Sequence, residues 1–178
     1  MTPETQFPAP APSRPGPLFV AIDTHDRDRA RALIAAVGPY AGGVKLGLEF
    51  FAAEGPDGVR AVMPPGVPLF LDLKFHDIPN TVAGAVGSAL RLGPSFMTLH
   101  AAGGRAMMRK AAEMARESGG VCRLLAVTVL TSLDDADLAS VGQVGPALDQ
   151  VRKLAALDRK STRLNSSHQC LSRMPSSA

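Results

Sequence analysis

Apolar residues in this chain come in short runs, and each run gives way to a stretch with helical periodicity. "LFVAID" (18–23) reads as a strand ending in an acid. "RDRARALIAAV" (27–37) reads as an Ala-rich helix with Leu33, Ile34 and Val37 on one face, stopped by Gly38-Pro39. "GGVKLG" (42–47) is a second strand, and residues 48–62 form a helix with a break around Gly55-Pro56. "VPLFLDLKF" (67–75) is the third strand. The helix after it starts at Pro79, where a missing N–H costs nothing, and runs to about Leu92. "SFMTLHAAG" (95–103) is the fourth strand, and "RAMMRKAAEMARES" (105–118) is a helix closed by Gly119-Gly120. "CRLLAVTVLTS" (122–132) is the fifth strand, and a last helical pattern spans about 145–158.

Strands that are apolar on both faces, each followed by a helix, predict a parallel sheet covered by helices. Repeats of roughly 25–30 residues fit a (β/α)8 barrel or a doubly wound sheet. The polar residues choose between them. Asp23, Lys45, Asp72 with Lys74, His100 and Thr131 are all read at the C-terminal ends of strands, where a barrel builds its site. A doubly wound sheet gathers such groups at one switch point after a glycine-rich turn, and "AIDTHDRD" has no such glycines. The expected fold is α/β, a (β/α)8 TIM barrel truncated to about five βα units, because a barrel needs eight strands and roughly 250 residues.

Composition adds boundaries. The 178 residues are 46% apolar with no Trp and one Tyr, enough for one core built mainly of Ala, Val, Leu and Ile. Residues 1–17 read as a Pro-rich extended arm lacking the apolar centre of a signal peptide. Residues 18–158 are the folded domain. Residues 159–178 are Ser-rich and aperiodic, and are expected to be foreign to the domain, either disordered or artefactual. The net charge of +3 is carried by Lys160, Arg163 and Arg173 in that tail, so the basic balance does not imply nucleic-acid binding. No apolar run approaches the roughly 18 residues of a membrane span. Cys122 and Cys170 make neither a disulfide framework nor a metal spacing; Cys122 is expected to be a reduced core thiol, as in a cytoplasmic protein.

The chemistry concentrates in "FLDLKFHDIPNTV" (70–82). Asp72 and Lys74 are two apart on a strand and share a face. Asp77 lies beyond the strand end, and Lys45 belongs to the strand that would neighbour it. Together they make an alternating set of two amines and two carboxylates, in which each contact at about 4 Å is worth roughly 4 kcal/mol at an effective dielectric near 20. Such alternation keeps all four ionised, where adjacent like charges would force protonation. The structural alternatives are a turn role for Asp77, a snorkelling Lys45 and a plain ion pair for Asp72 with Lys74. Buried pairs are costly to desolvate, so convergence on one rim favours chemistry. His76 is read as pointing away from Lys74 and structural, His100 as a core or supporting histidine, and His25 as part of a solvated helix start. "HAAGGR" lacks the longer phosphate-loop pattern.

"DLKFHDIPNTV" resembles the signature of the orotidine 5′-phosphate decarboxylase family, Asp-x-Lys-x-x-Asp-Ile-Pro-x-Thr. "AID" (21–23), "VKLGLEFF" (44–51), "HAAGG" (100–104) and "AVTVLTS" (126–132) follow the family's order over residues 18–158. The resemblance implies that Lys74 protonates C6 of the pyrimidine as CO2 departs, with Asp72 against the substrate carboxylate and Lys45 completing the charge set. It implies that Asp23 binds the ribose hydroxyls and Thr131 makes a further substrate contact. Asp77 and Thr81 would serve a neighbouring subunit's site, hence a homodimer. It also implies a nucleotide substrate, orotidine 5′-monophosphate, with neither metal nor organic cofactor, and a cytoplasmic place in UMP biosynthesis. The family's phosphate-gripping arginine and closing loop belong to the later strands, which a chain of about five βα units is expected to lack. The alternatives are a related sugar-phosphate decarboxylase of the same barrel group, typically Mg-dependent, and a non-catalytic, aggregation-prone fragment with an open sheet edge.

Overall fold

The structure, a computed structural model, describes residues 18–119 and 121–162, with side chains to residue 157. The expectations for residues 1–17 and for most of the 159–178 segment lie outside the described residues. The described residues fall into two compact units that meet in sequence at Leu71 and Asp72.

The first unit holds β1 (Phe19–Ile22), α1 (Arg27–Val37), β2 (Gly43–Gly47), α2 (Leu48–Val62) and the start of β3 (Leu69–Phe75). β1 pairs parallel with β2, with Ile22 opposite Leu46, and the Val44 N–H donates to the Pro68 carbonyl at 3.0 Å, which sets the entry to β3 beside β2. Asp26 starts α1 by accepting the Arg29 N–H at 2.8 Å. Ala30 and Ile34 are the buried residues of that helix, while Leu33 is 37% exposed. Leu33, read on one face with Ile34 and Val37, lies at the edge of that face, about 60° off the line through Ala30 at 100° per residue. The break expected in α2 is present: Gly55 has φ 63° and ψ −168°, followed by Pro56. Glycine tolerates that backbone, and proline cannot supply the amide a continuous helix needs. Arg27 Nε reaches across to Glu54 Oε2 at 2.7 Å and joins α1 to α2 just before the break.

The second unit holds the rest of β3, then α3 (Pro79–Leu90), β4 (Phe96–His100), a 3₁₀ turn (Ala101–Gly103), α4 (Gly104–Glu117), β5 (Arg123–Val127), α5 (Asp135–Ser140) and α6 (Ala147–Thr162). β4 and β5 pair parallel from Phe96–Arg123 to His100–Val127. Helix α4 packs against α3 and α6. Val82 and Val86 of α3, Met107, Met108 and Ala111 of α4, and Leu124 of β5 are all buried and form the apolar centre. α5 was not anticipated. It is held by a reciprocal cap in which Asp134 accepts the Asp137 N–H at 2.8 Å and Asp137 accepts the Asp134 N–H at 3.1 Å. α6 carries helical backbone to Thr162, four residues past the expected end of the pattern.

The strands follow the order β1-β2-β3-β4-β5, so each lies beside its neighbour in sequence. A doubly wound sheet reverses its strand order part-way along; this one does not. Sequential parallel strands alternating with helices are the singly wound α/β pattern of the TIM barrel, of which the described residues contain five strands.

Candidate active site

β3 is buried from Leu69 to Leu73, and it carries one charged residue into that environment. Asp72 is 9% exposed. A lone buried carboxylate would be costly, and in the second unit two groups answer it. Lys74 Nζ lies 2.9 Å from Oδ2, forming an ion pair, and the Thr98 hydroxyl of β4 donates to Oδ1 at 2.9 Å. The ammonium is the more open partner, with its side chain 36% exposed against 12% for Asp72. The pair is therefore rooted in protein at the carboxylate end and reaches solvent at the amine end. That polarity allows the amine to deliver a proton to a molecule placed at its open end.

Lys74 is also the only non-glycine among the described residues with positive φ, at 51°. This left-handed backbone is unfavourable for a residue with a Cβ, and it is held in place by the Lys74 N–H donating to Thr98 Oγ1 at 2.9 Å. Backbone strain of this kind collects where a side chain must be aimed against local preference.

Two histidines stand beside the pair. The ring of His100, at the end of β4, lies 5.3 Å from that of His76 at an interplanar angle of 37°. Burial pushes the His100 pKa down, and nearby His76 and Lys74 push it the same way against the opposing pull of Asp72. A lowered pKa favours the neutral imidazole of His100 at pH 7. The expectation that His76 points away from Lys74 is corrected here. Strand alternation does not carry through this segment, because β3 ends at Phe75 and Lys74 has φ 51°, and both His76 and Lys74 lie close enough to His100 to act on it.

The remaining expected residues are placed as follows. Asp77 is exposed in the turn after β3, where its Oδ1 accepts the Ile78 N–H at 2.6 Å. Thr81 is exposed in the first turn of α3, which begins at Pro79 as expected. Thr131 had been read at the end of the fifth strand. β5 instead stops at Val127, and Thr131 sits exposed in a turn four residues later. In the first unit Asp23 is exposed just after β1, and Lys45 is half-buried in the middle of β2 opposite Ala21, not at the strand's last residue. Thr98 was missed. Its signal was present in "FMTLH", a single hydroxyl inside an apolar strand, two residues from His100 and so on the same face. Among the described residues no three His, Cys, Asp or Glu side chains are grouped to hold a metal ion, and no helix is long and apolar enough to cross a membrane.

Consecutive parallel strands with an ammonium–carboxylate pair toward the carboxyl end of a strand are features of the β/α-barrel class, in which sites are generally built at that rim. Sequence comparison makes the assignment specific. The model of the orotidine 5′-phosphate decarboxylase / HUMPS family matches residues 16–169, and the chain belongs to that family. It is 54% identical over 149 residues to the orotidine 5′-phosphate decarboxylase of Rhodospirillum rubrum, covering 80% of this chain and 60% of that protein. It is 51% identical over 145 residues to that of Sphingopyxis alaskensis, covering 82% and 63%. The crystal structure of orotidine 5′-phosphate decarboxylase from Lactobacillus acidophilus superposes with a TM-score of 0.74 at 35% identity, over 84% of this chain and 68% of that one. The chain thus spans about three-fifths of the length of these curated relatives.

Proposed function

We propose that this chain carries the decarboxylating half-site chemistry of an orotidine 5′-phosphate decarboxylase, converting orotidine 5′-monophosphate to uridine 5′-monophosphate and CO2. The observation that carries the reading is the Asp72–Lys74 ion pair, set at 2.9 Å within the "DLKFHDIPNT" signature of a member of this family. Breaking the bond between C6 and the carboxylate leaves an electron pair on C6 that the pyrimidine ring cannot spread onto an adjacent sink. Fixed charge must therefore stabilise it. The Lys74 ammonium supplies that charge and then transfers its proton from Nζ to C6, ending as a neutral amine. Asp72 holds the amine in position beside the departing carboxylate. In this reading Lys45 adds the second ammonium, Asp23 takes the ribose hydroxyls, and Thr131 contacts the substrate. Asp77 and Thr81, both exposed around the start of α3, are offered to the site of a second copy, so the working form is a cytoplasmic homodimer in UMP biosynthesis.

The test is the fall in ultraviolet absorbance when the chain is mixed with orotidylate, with and without a chelator, beside size-exclusion chromatography. Chelator-insensitive turnover by a dimer, lost in Lys74→Ala while nucleotide binding persists, is the expected result. Normal turnover in Lys74→Ala removes the amine from the mechanism. A chelator-sensitive activity on a sugar-acid phosphate in place of orotidylate supports the related sugar-phosphate decarboxylases instead. Absence of turnover with any substrate identifies a non-catalytic chain.

A further inference from the structure

The hydroxyl of Thr98 does two things at once, and their directions are fixed by chemistry. A hydroxyl has one hydrogen to give and lone pairs to receive with. The Asp72 carboxylate, ionised in its pair with Lys74, can only accept, and the Lys74 amide can only donate, so the hydrogen points to Oδ1 at 2.9 Å and a lone pair takes the amide at 2.9 Å. Lys74 Nζ meets the other carboxylate oxygen, Oδ2, at 2.9 Å. The three contacts close a ring that leaves Lys74 by its main chain, passes through Thr98 and Asp72, and returns to Lys74 by its side chain. Thr98 is 4% exposed, so bulk water has little access to replace either bond. The same ring spans the one positive φ found outside glycine among the described residues.

We propose that Thr98 is the positioning residue of this site: its hydroxyl locks the Lys74 backbone and the Asp72 carboxylate into one geometry, and so fixes where the ammonium is presented. The inference rests on the decarboxylase reading for its kinetic consequence, but not for its structural one. Misplacing a reacting group by about 1 Å is enough to cost on the order of a hundredfold in rate. A freely rotating Asp72 and a relaxed Lys74 backbone would produce such a displacement without removing either charge.

The experiment compares Thr98→Val, which keeps the shape and deletes the hydroxyl, with Thr98→Ser, which keeps the hydroxyl and deletes a methyl. Two readouts are taken on the full chain: kcat and KM for orotidylate, and the rate of acylation of Lys74 by acetic anhydride at one fixed pH, followed by peptide mass spectrometry. Thr98→Val is expected to lower kcat at least about tenfold with KM within about threefold, and to speed Lys74 acylation severalfold as the amine is no longer held at one place against a fixed carboxylate. Thr98→Ser is expected to stay within about threefold of the parent in both. Unchanged kcat and acylation in Thr98→Val overturns the proposal, as does an equal loss in Thr98→Ser, which would assign the effect to packing. If the parent chain does not turn over orotidylate, the decarboxylase reading fails on its own account. Acylation then decides alone, with equal rates in parent and Thr98→Val refuting the positioning role. Should Thr98→Val fail to fold, Thr98→Cys, whose thiol is a weak donor of similar size, takes its place in both measurements.

Discussion

Replacing Lys74 by alanine and, separately, by glycine isolates the energetic cost of its backbone from that of its charge. Both substitutions remove the ammonium that lies 2.9 Å from Asp72. Breaking a fully buried pair costs about 3–5 kcal/mol, whereas an exposed one is worth about 0–1 kcal/mol. This pair lies between, with the carboxylate 12% exposed, the lysine side chain 36% exposed, and Thr98 still donating to Oδ1. A loss of about 2 kcal/mol is expected in each variant. The two then diverge. At φ 51° alanine retains the clash of its Cβ with the backbone, and glycine does not. The left-handed conformation costs about 1–2 kcal/mol for a residue with a Cβ, and glycine gives back about 0.4–1 kcal/mol through its freer unfolded chain. Glycine should therefore be the more stable of the two by about 0.5–1 kcal/mol, the reverse of the usual order in a strand. Urea unfolding monitored by circular dichroism reads this directly: with a slope of about 2 kcal/mol per molar, the midpoints should differ by about 0.25–0.5 M. A midpoint for Lys74→Ala equal to or above that of Lys74→Gly would show that Lys74 carries no backbone strain, and the case for a ring that holds it would fall with it.

Three further outcomes are expected. Gly43→Ala should destabilise the chain by about 1–3 kcal/mol, since a Cβ there would meet the Phe19 ring and the Pro68 carbonyl oxygen; thermal melting checks it. His100 has its pKa lowered in the folded state. Just below its ordinary value of 6.5 the unfolded chain therefore binds more protons, so stability should rise with pH through that window and fall as acid titrates the folded form. His100→Gln should flatten that slope in urea midpoints measured between about pH 5 and 7.5. Cys122 is 8% exposed and its thiol is pushed up to about 11 by burial. Its thiolate fraction at pH 8 is then roughly a hundredfold below that of an ordinary thiol of pKa 9.0. Iodoacetamide should label it correspondingly slowly in the native protein and at the ordinary rate in urea.

What the sequence made legible follows from how local each signal was. The helix over 27–37 and the break at Gly55-Pro56 rest on periodicity and on backbone chemistry confined to a few residues, and both appear where expected. The fourth and fifth strands were read too long, because "AAG" and "TVLTS" continue an apolar run after the ladder has ended at His100 and Val127. Hydrophobicity reports burial, whereas strand pairing depends on the neighbour. α5 escaped because its six residues are too few for a period, although the Asp134–Asp137 spacing was there to be seen. At the site, Asp72 with Lys74 was readable because the two residues are near each other in the chain. Thr98 lies 26 residues from Asp72, and only the β3–β4 pairing brings its hydroxyl to the carboxylate. The left-handed turn of Lys74 had no sequence signal, since a lysine there contradicts the preference that would announce it.

The shared hydroxyl of Thr98 has an evolutionary corollary. Because a single oxygen serves a main chain on one side and a carboxylate on the other, positions 72, 74 and 98 cannot drift one at a time. Substitutions among them should be strongly epistatic, with two changes made together costing less than the separate losses added. A lineage that departs from this trio is expected to replace it as a block.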